Sequence, residues 1–102
     1  MTNWVEIGAI YDIPRCGARV VKTPNGNVAV FRTGTDEIFA LRDRCPHKGG
    51  PLSQGIVHGK RVTCPLHSLI LDLPTGRAVP PDEGCVDTIQ FKVKSGVITL
   101  LL

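Results

Sequence analysis

Cys45-Pro46-His47 and Cys64-Pro65-Leu66-His67 each set a thiol and an imidazole almost side by side. Thiolates are soft ligands and imidazoles borderline ones, so the two couples suit iron or zinc. A Cys-His couple in each of two turns can hold two irons unequally, with sulfur ligands on one and nitrogen ligands on the other. The order of donors argues against zinc: zinc fingers usually pair Cys with Cys and His with His, whereas each couple here mixes them.

Two couples make one site only if the chain brings them together. The second half of the intervening segment 48–63 reads as a hairpin turning at His58-Gly59, which returns the chain to its starting edge and sets two loop tips side by side. Gly49 and Gly50 let bare backbone approach sulfur, and Pro46, Pro51 and Pro65 stiffen both loops. Backbone N–H groups donated to sulfur stabilise the electron-rich reduced form and raise the potential.

The elements that must carry these loops are short strands. No stretch keeps a helical period for three turns, while β-branched and aromatic runs recur between Gly, Pro, Asn and Asp clusters. The expected strands are Trp4 to Ile7, Arg19 to Lys22, Asn27 to Arg32, Ile38 to Leu41, Gly55 to Val57, Arg61 to Thr63, Leu69 to Leu73, Ile89 to Lys94 and Val97 to Leu101. Pro24-Asn25-Gly26, Gly34-Thr35-Asp36, His58-Gly59, Pro74-Thr75-Gly76 and Ser95-Gly96 supply turns. Ile89, Phe91 and Val93 alternate with Gln90, Lys92 and Lys94, which predicts an edge strand with one core face and one wet face. The fold class is all-β, and with no repeat or linker the chain reads as one domain over 1–102, its cluster-binding loops at about 43–72.

Composition bounds the partners. The chain has 102 residues, a net charge of +3, and only three Phe, one Tyr and one Trp from which to build a base-stacking surface, so nucleic acid is not expected. Met1 to Val5 lacks the basic and apolar regions of a signal peptide, and the apolar run from Val97 to Leu102 is too short to span a bilayer. The expectation is a cytoplasmic protein without a membrane, in which the four cysteines serve a metal site rather than disulfides.

Cys-x-His followed by Cys-x-x-His, with Cys-Pro-His-x-Gly-Gly-Pro-Leu from Cys45 and Cys-Pro-Leu-His from Cys64, resembles the Rieske [2Fe-2S] family. The resemblance implies a Rieske-like antiparallel β-sandwich with a small cluster-binding subdomain of two hairpin loops. It implies one cluster per chain, with Cys45 and Cys64 on the inner iron and His47 and His67 on the outer, solvent-facing iron. It also sets the Pro80-Pro81 turn where the family carries a third, proline-bearing loop over the cluster. Formal charge agrees: two ferric ions, two sulfides, two thiolates and two neutral imidazoles sum to zero, and a neutral centre accepts an electron more readily than a four-cysteine dianion.

High-potential members of that family carry an extra cysteine in each cluster loop, joined as a disulfide, where this chain has Gly50 and Leu66. They also place a serine and a tyrosine after the second couple as donors to the cluster, where this chain has Leu69 and Leu71. The resemblance therefore implies a low-potential, ferredoxin-type centre.

Gly55 to His67 and Pro81-Asp82-Glu83-Gly84-Cys85 are similar to the small subunit of assimilatory NAD(P)H-dependent nitrite reductase, although Ser68-Leu69 stands where that family commonly has asparagine and tryptophan. That resemblance implies an electron-transfer subunit beside a large catalytic subunit with FAD, a [4Fe-4S] cluster and sirohaem, reducing nitrite to ammonium. The chain has no dinucleotide-binding glycine fingerprint and is not expected to be catalytic alone. One alternative is a stand-alone Rieske ferredoxin between a flavin reductase and a ring-hydroxylating oxygenase. Another is a metal-stabilised interaction module without redox turnover.

Arg42, Arg44, Lys48, Lys60 and Arg61 lie on or beside the cluster loops, as a basic rim for an acidic partner or as a solvated surface. His58 reads as a turn residue rather than a ligand, and Cys16 and Cys85 as thiols outside the site. Trp4 reads as an anchor of the first strand packed on the sheet, with docking as the alternative, and Asp82-Glu83 as a solvated loop or partner contact.

Overall fold

Val28, Ala29, Val30 and Phe31 form an unbroken apolar run, and every one of them is fully buried. In the computed structural model of the chain, which describes residues 3–45, 50–65 and 69–102, this run is the middle strand of the middle of three sheets. Successive side chains of a strand point to opposite faces, so a strand covered on both faces needs apolar residues at every position. Val28 and Val30 enter one buried cluster, and Ala29 and Phe31 the other.

The strands are β1 (Trp4–Ala9), β2 (Gly17–Thr23), β3 (Gly26–Arg32), β4 (Ile38–Arg42), β5 (Ile56–His58), β6 (Arg61–Thr63), β7 (Ile70–Asp72), β8 (Phe91–Lys94) and β9 (Val97–Leu101). They pair antiparallel as β1-β9-β8, β2-β3-β4 and β5-β6-β7. All nine expected strands are present, each within two residues of its expected ends. Two 3₁₀ turns, Ile10–Asp12 and Leu52–Gln54, are the helical pieces among the described residues, and no helix there is long and apolar enough to cross a membrane.

The first and middle sheets enclose Ile13, Val28, Val30, Ile38, Ala40, Ile98 and Leu100. The middle and small sheets enclose Ala29, Phe31, Leu41, Leu52, Val57, Val62, Leu69, Leu71 and Leu73, together with Cys45 and Cys64. Short pairings tie the connecting segments to the sheets: Arg42 N–H to Asp87 O and Ile89 N–H to Ala40 O fasten the approach to β8 onto β4. Asp72 N–H to Arg77 O and Val79 N–H to Ile70 O fasten segment 77–79 onto β7.

Two expectations for the first sheet need correction. β8 is an edge strand, but Phe91 and Val93, on the side of Ile98 and Leu100, stay 36% and 44% exposed because the facing layer covers the central strand β9 and stops short of the edge. Phe91 is held by an edge-on contact with Phe39, ring centres 6.2 Å apart. Trp4 is not a packed anchor: it is 41% exposed and lies under the Lys92 ammonium, 3.9 Å from the ring centre.

At the opposite end of β3, the buried guanidinium of Arg32 donates to Ile13 O at 2.8 Å and meets Asp36 Oδ1 at 2.8 Å. Arg15 donates to the same carboxylate, and the two cations hold the Asp36 carboxyl below the usual carboxylate value, Arg15 contributing most.

Candidate metal centre

β4 ends at Arg42, and Asp43 carries its pairing one step further by donating its N–H to Asn27 O at 2.9 Å. The chain then turns inward, and Cys45 is 1% exposed in the cluster between the middle and small sheets. Its N–H donates to Gly50 O at 2.7 Å, closing the loop at its base. Cys64 follows β6 directly, is equally buried, and donates its N–H to Leu69 O, also at 2.7 Å. Both loops are therefore shut by the same bond, from the cysteine amide to the carbonyl five residues on. The segments 46–49 and 66–68 lie outside the described residues, and with them His47, His67 and Lys48.

The hairpin that brings the cysteines together is tight. The turn falls at Gly59-Lys60, one residue later than the expected His58-Gly59: Gly59 takes a φ of +59°, and His58 pairs with Arg61 across β5 and β6. Gly55 has no room for a side chain: a Cβ there would stand 2.3 Å from Thr63 O. This close backbone contact seats the start of β5 against the end of β6 beside Cys64.

The two loops differ in what stands behind them. The second is backed by a ladder, since Thr63 pairs with Ile70 and β6 runs on into β7. The first has no strand after it; Gly50 leads into the 3₁₀ turn Leu52–Gln54. Two side chains replace the ladder. Leu52 is fully buried in the same cluster as the cysteines. Ser53 donates its N–H to Asp43 Oδ1 at 2.7 Å and its hydroxyl to Asp43 Oδ2 at 2.8 Å. Asp43 stands between two arginines in the sequence, and no local pattern marks Ser53 as its partner.

Two buried thiols on one apolar wall, with Leu52, Leu69 and Leu71 around them, fit the sulfur-bound side of an iron–sulfur group: the ligands are soft and water is kept away. A model of the Rieske [2Fe-2S] domain matches residues 3–90. The chain belongs to the Rieske [2Fe-2S] domain family. Its cofactor is a Rieske-type [2Fe-2S] cluster, and it is an electron-transfer domain. Among curated proteins it is 31% identical over 94 residues to the ferredoxin component of the naphthalene 1,2-dioxygenase/salicylate 5-hydroxylase systems of Ralstonia sp, covering 91% of this chain and 89% of that protein. It is 37% identical over 76 residues to the anthranilate 1,2-dioxygenase ferredoxin subunit of Burkholderia cepacia, covering 74% and 69%. A solved structure described as an NADH-dependent nitrite reductase small subunit from Mycobacterium tuberculosis superposes with a TM-score of 0.87 at 20% identity, covering 100% of this chain and 96% of that one. At that identity the likeness is one of fold.

The remaining sequence expectations for this Rieske domain divide. The basic rim breaks up: Lys60 and Arg61 sit at the end of β6 away from Cys64, and Lys60 pairs with Glu37 at 3.4 Å beside the start of β4. Arg42 turns back to Thr23 Oγ1 at 3.3 Å, which leaves Arg44 as the described basic residue exposed next to Cys45. His58 is the exposed last residue of β5, hydrogen-bonded through Nε2 to Thr63 Oγ1 at 2.8 Å. Cys16 and Cys85 are exposed and not bridged to each other. Pro80 and Pro81 follow Val79, whose bond to Ile70 O sets them beside the far end of the second loop. Asp82 and Glu83 are exposed on the same segment.

Proposed function

We propose that this Rieske chain is a ferredoxin that passes electrons singly from a flavin reductase to an oxygenase, with Cys45 and Cys64 on one iron of its cluster and His47 and His67 on the other. The observation that carries this reading is the identity of 31% and 37% with ferredoxin components of dioxygenase systems, over most of both chains. When bound, the cluster supplies a store for one electron. Burial of Cys45 and Cys64 among Leu52, Leu69 and Leu71 supports their role as the inner ligands, held dry on the core side. The two histidines fall within loops whose bases those cysteine amides close, which supports ligation from the loop tips.

The nitrite reductase small subunit is the second reading, favoured by Gly55 to His67 and by Pro81 to Cys85. In that case the partner is a large subunit with FAD, a [4Fe-4S] cluster and sirohaem. The two readings separate on partners. Protein purified from its native host under anaerobic conditions is expected free of sirohaem, to be reduced by NADH through a flavin-containing ferredoxin reductase, and to drive dihydroxylation of an aromatic substrate by an oxygenase. Co-purification with a sirohaem-containing chain overturns the ferredoxin reading in favour of the second. A cluster that dithionite and air cannot cycle overturns both.

A further inference from the structure

The geometry points to Asp43 as the positioning residue of the first cluster loop, taking through Ser53 the part that a strand ladder takes in the second. This rests on the assignment of Cys45 and His47 as ligands.

The argument is an asymmetry between two otherwise matched loops. Each is closed at its base by a backbone hydrogen bond of 2.7 Å, from Cys45 N–H to Gly50 O and from Cys64 N–H to Leu69 O. One backbone bond fixes a base but not the angle at which the chain leaves it. Behind Cys64 and Leu69, the pairs Thr63 with Ile70, Val62 with Leu71 and Arg61 with Asp72 fix that angle. Behind Cys45 and Gly50 the outgoing chain runs through Pro51 into a 3₁₀ turn, and among the described residues it makes no strand pairing with the incoming side. The Asp43 carboxylate spans this gap. The residue is rooted by its backbone N–H on Asn27 O, one position before the fully buried run of β3, and its carboxylate oxygens accept from Ser53 at 2.7 and 2.8 Å. Two bonds to one carboxylate fix direction as well as distance, and a charged acceptor makes them stronger than neutral ones.

The clasp therefore ties the loop that bears Cys45 and His47 to the middle sheet, so its loss acts on the cluster more than on the fold. Outer partners that orient ligands typically change metal affinity by roughly 10–100-fold when removed. The expected result for D43A, in the full chain with its cluster loaded, is release of iron to a chelator at least about tenfold faster than wild type, with a shifted midpoint potential. D43N keeps an acceptor oxygen for the Ser53 amide and is expected to recover most of the slow release. S53A, which loses only the hydroxyl bond, is expected between wild type and D43A. Thermal unfolding of the cluster-free proteins supplies the control for folding.

Release at the wild-type rate and an unchanged potential in D43A overturn the proposal. So does D43N behaving like D43A, since charge and not the clasp then matters. If D43A does not fold, S53A decides alone: an unchanged release rate and potential overturn the proposal. A parallel C45S variant separates the two claims: a retained Rieske EPR signal there refutes the ligand assignment, whereas lost signal in C45S beside unaltered D43A refutes the clasp alone.

Discussion

Cys45 and Cys64 reach one buried cluster from two different sheets, the first at the end of the middle sheet and the second at the end of the small one. The electron-transfer group is thus expected at the seam between two layers, where each layer contributes one loop. Replacing either cysteine by serine swaps a soft ligand for a hard one at a buried position. C45S and C64S are each expected to lose the visible absorption and EPR signal of the cluster and to fall below two irons per chain. Zinc in the wild-type protein at one ion per chain, with no EPR signal after reduction, would refute the cluster ligation itself.

Leu69 and Leu71 are packed in that group of buried side chains, and their side chains offer no hydrogen-bond donor to an iron–sulfur cluster. Donors to sulfur raise the potential, and Rieske centres span roughly −150 to +300 mV. The midpoint is expected below zero millivolts by protein-film voltammetry. A value well above zero means that other donors do what these leucines cannot.

Leu52 and Leu100 are both fully buried, but on opposite sides of β3. Each leucine-to-alanine change removes a core side chain and leaves a cavity, at a cost of about 2–5 kcal/mol. L52A and L100A are expected to lower the urea midpoint by similar amounts. Only L52A should also speed iron release, because only Leu52 sits in the turn that closes the first loop. Equal effects of both on release would show that global opening, not the loop, governs loss of the cluster.

Asp36 is held below its ordinary carboxylate value of 3.8 by Arg15 and then Arg32. A carboxyl whose folded value is depressed binds fewer protons in the native state than in the unfolded one. Its contribution is therefore fully present above the unfolded value and is lost as pH falls through the lower folded value. D36N is expected to lower stability at neutral pH and to flatten the fall in urea midpoint below about pH 4, with Arg15 charged throughout. A D36N profile parallel to wild type across that range would contradict the clasp between Asp36 and its two arginines.

Trp4 is the one tryptophan of the chain, so its fluorescence reports the Lys92 ammonium stacked on it. K92A is expected to change the emission of Trp4 while costing no more than about 1 kcal/mol, the scale of a cation–ring contact at an exposed site. Unchanged emission would place the ammonium away from the ring in solution.

Much of this fold is local and was legible residue by residue. The nine strands follow from β-branched runs between turn residues, because alternation and turn chemistry act over a few neighbours. The family was legible too: the type and spacing of the Cys-His couples pointed to a Rieske domain, and the Rieske model matches residues 3–90. Tertiary structure decided what depends on distance in space. The apolar run Val28 to Phe31 could be read as a strand, but its burial on both faces required a third layer, and coverage of that layer is what leaves Phe91 and Val93 half open at the edge. The basic residues near the couples read as a rim or as a solvated surface, and β6 carries Lys60 away from Cys64, because a strand advances about 3.3 Å per residue and the hairpin turns at the far end. The two bonds that Ser53 donates to Asp43 have no signature in either residue. They stand where one loop lacks the ladder that the other has, a difference visible only when the two loops are set side by side.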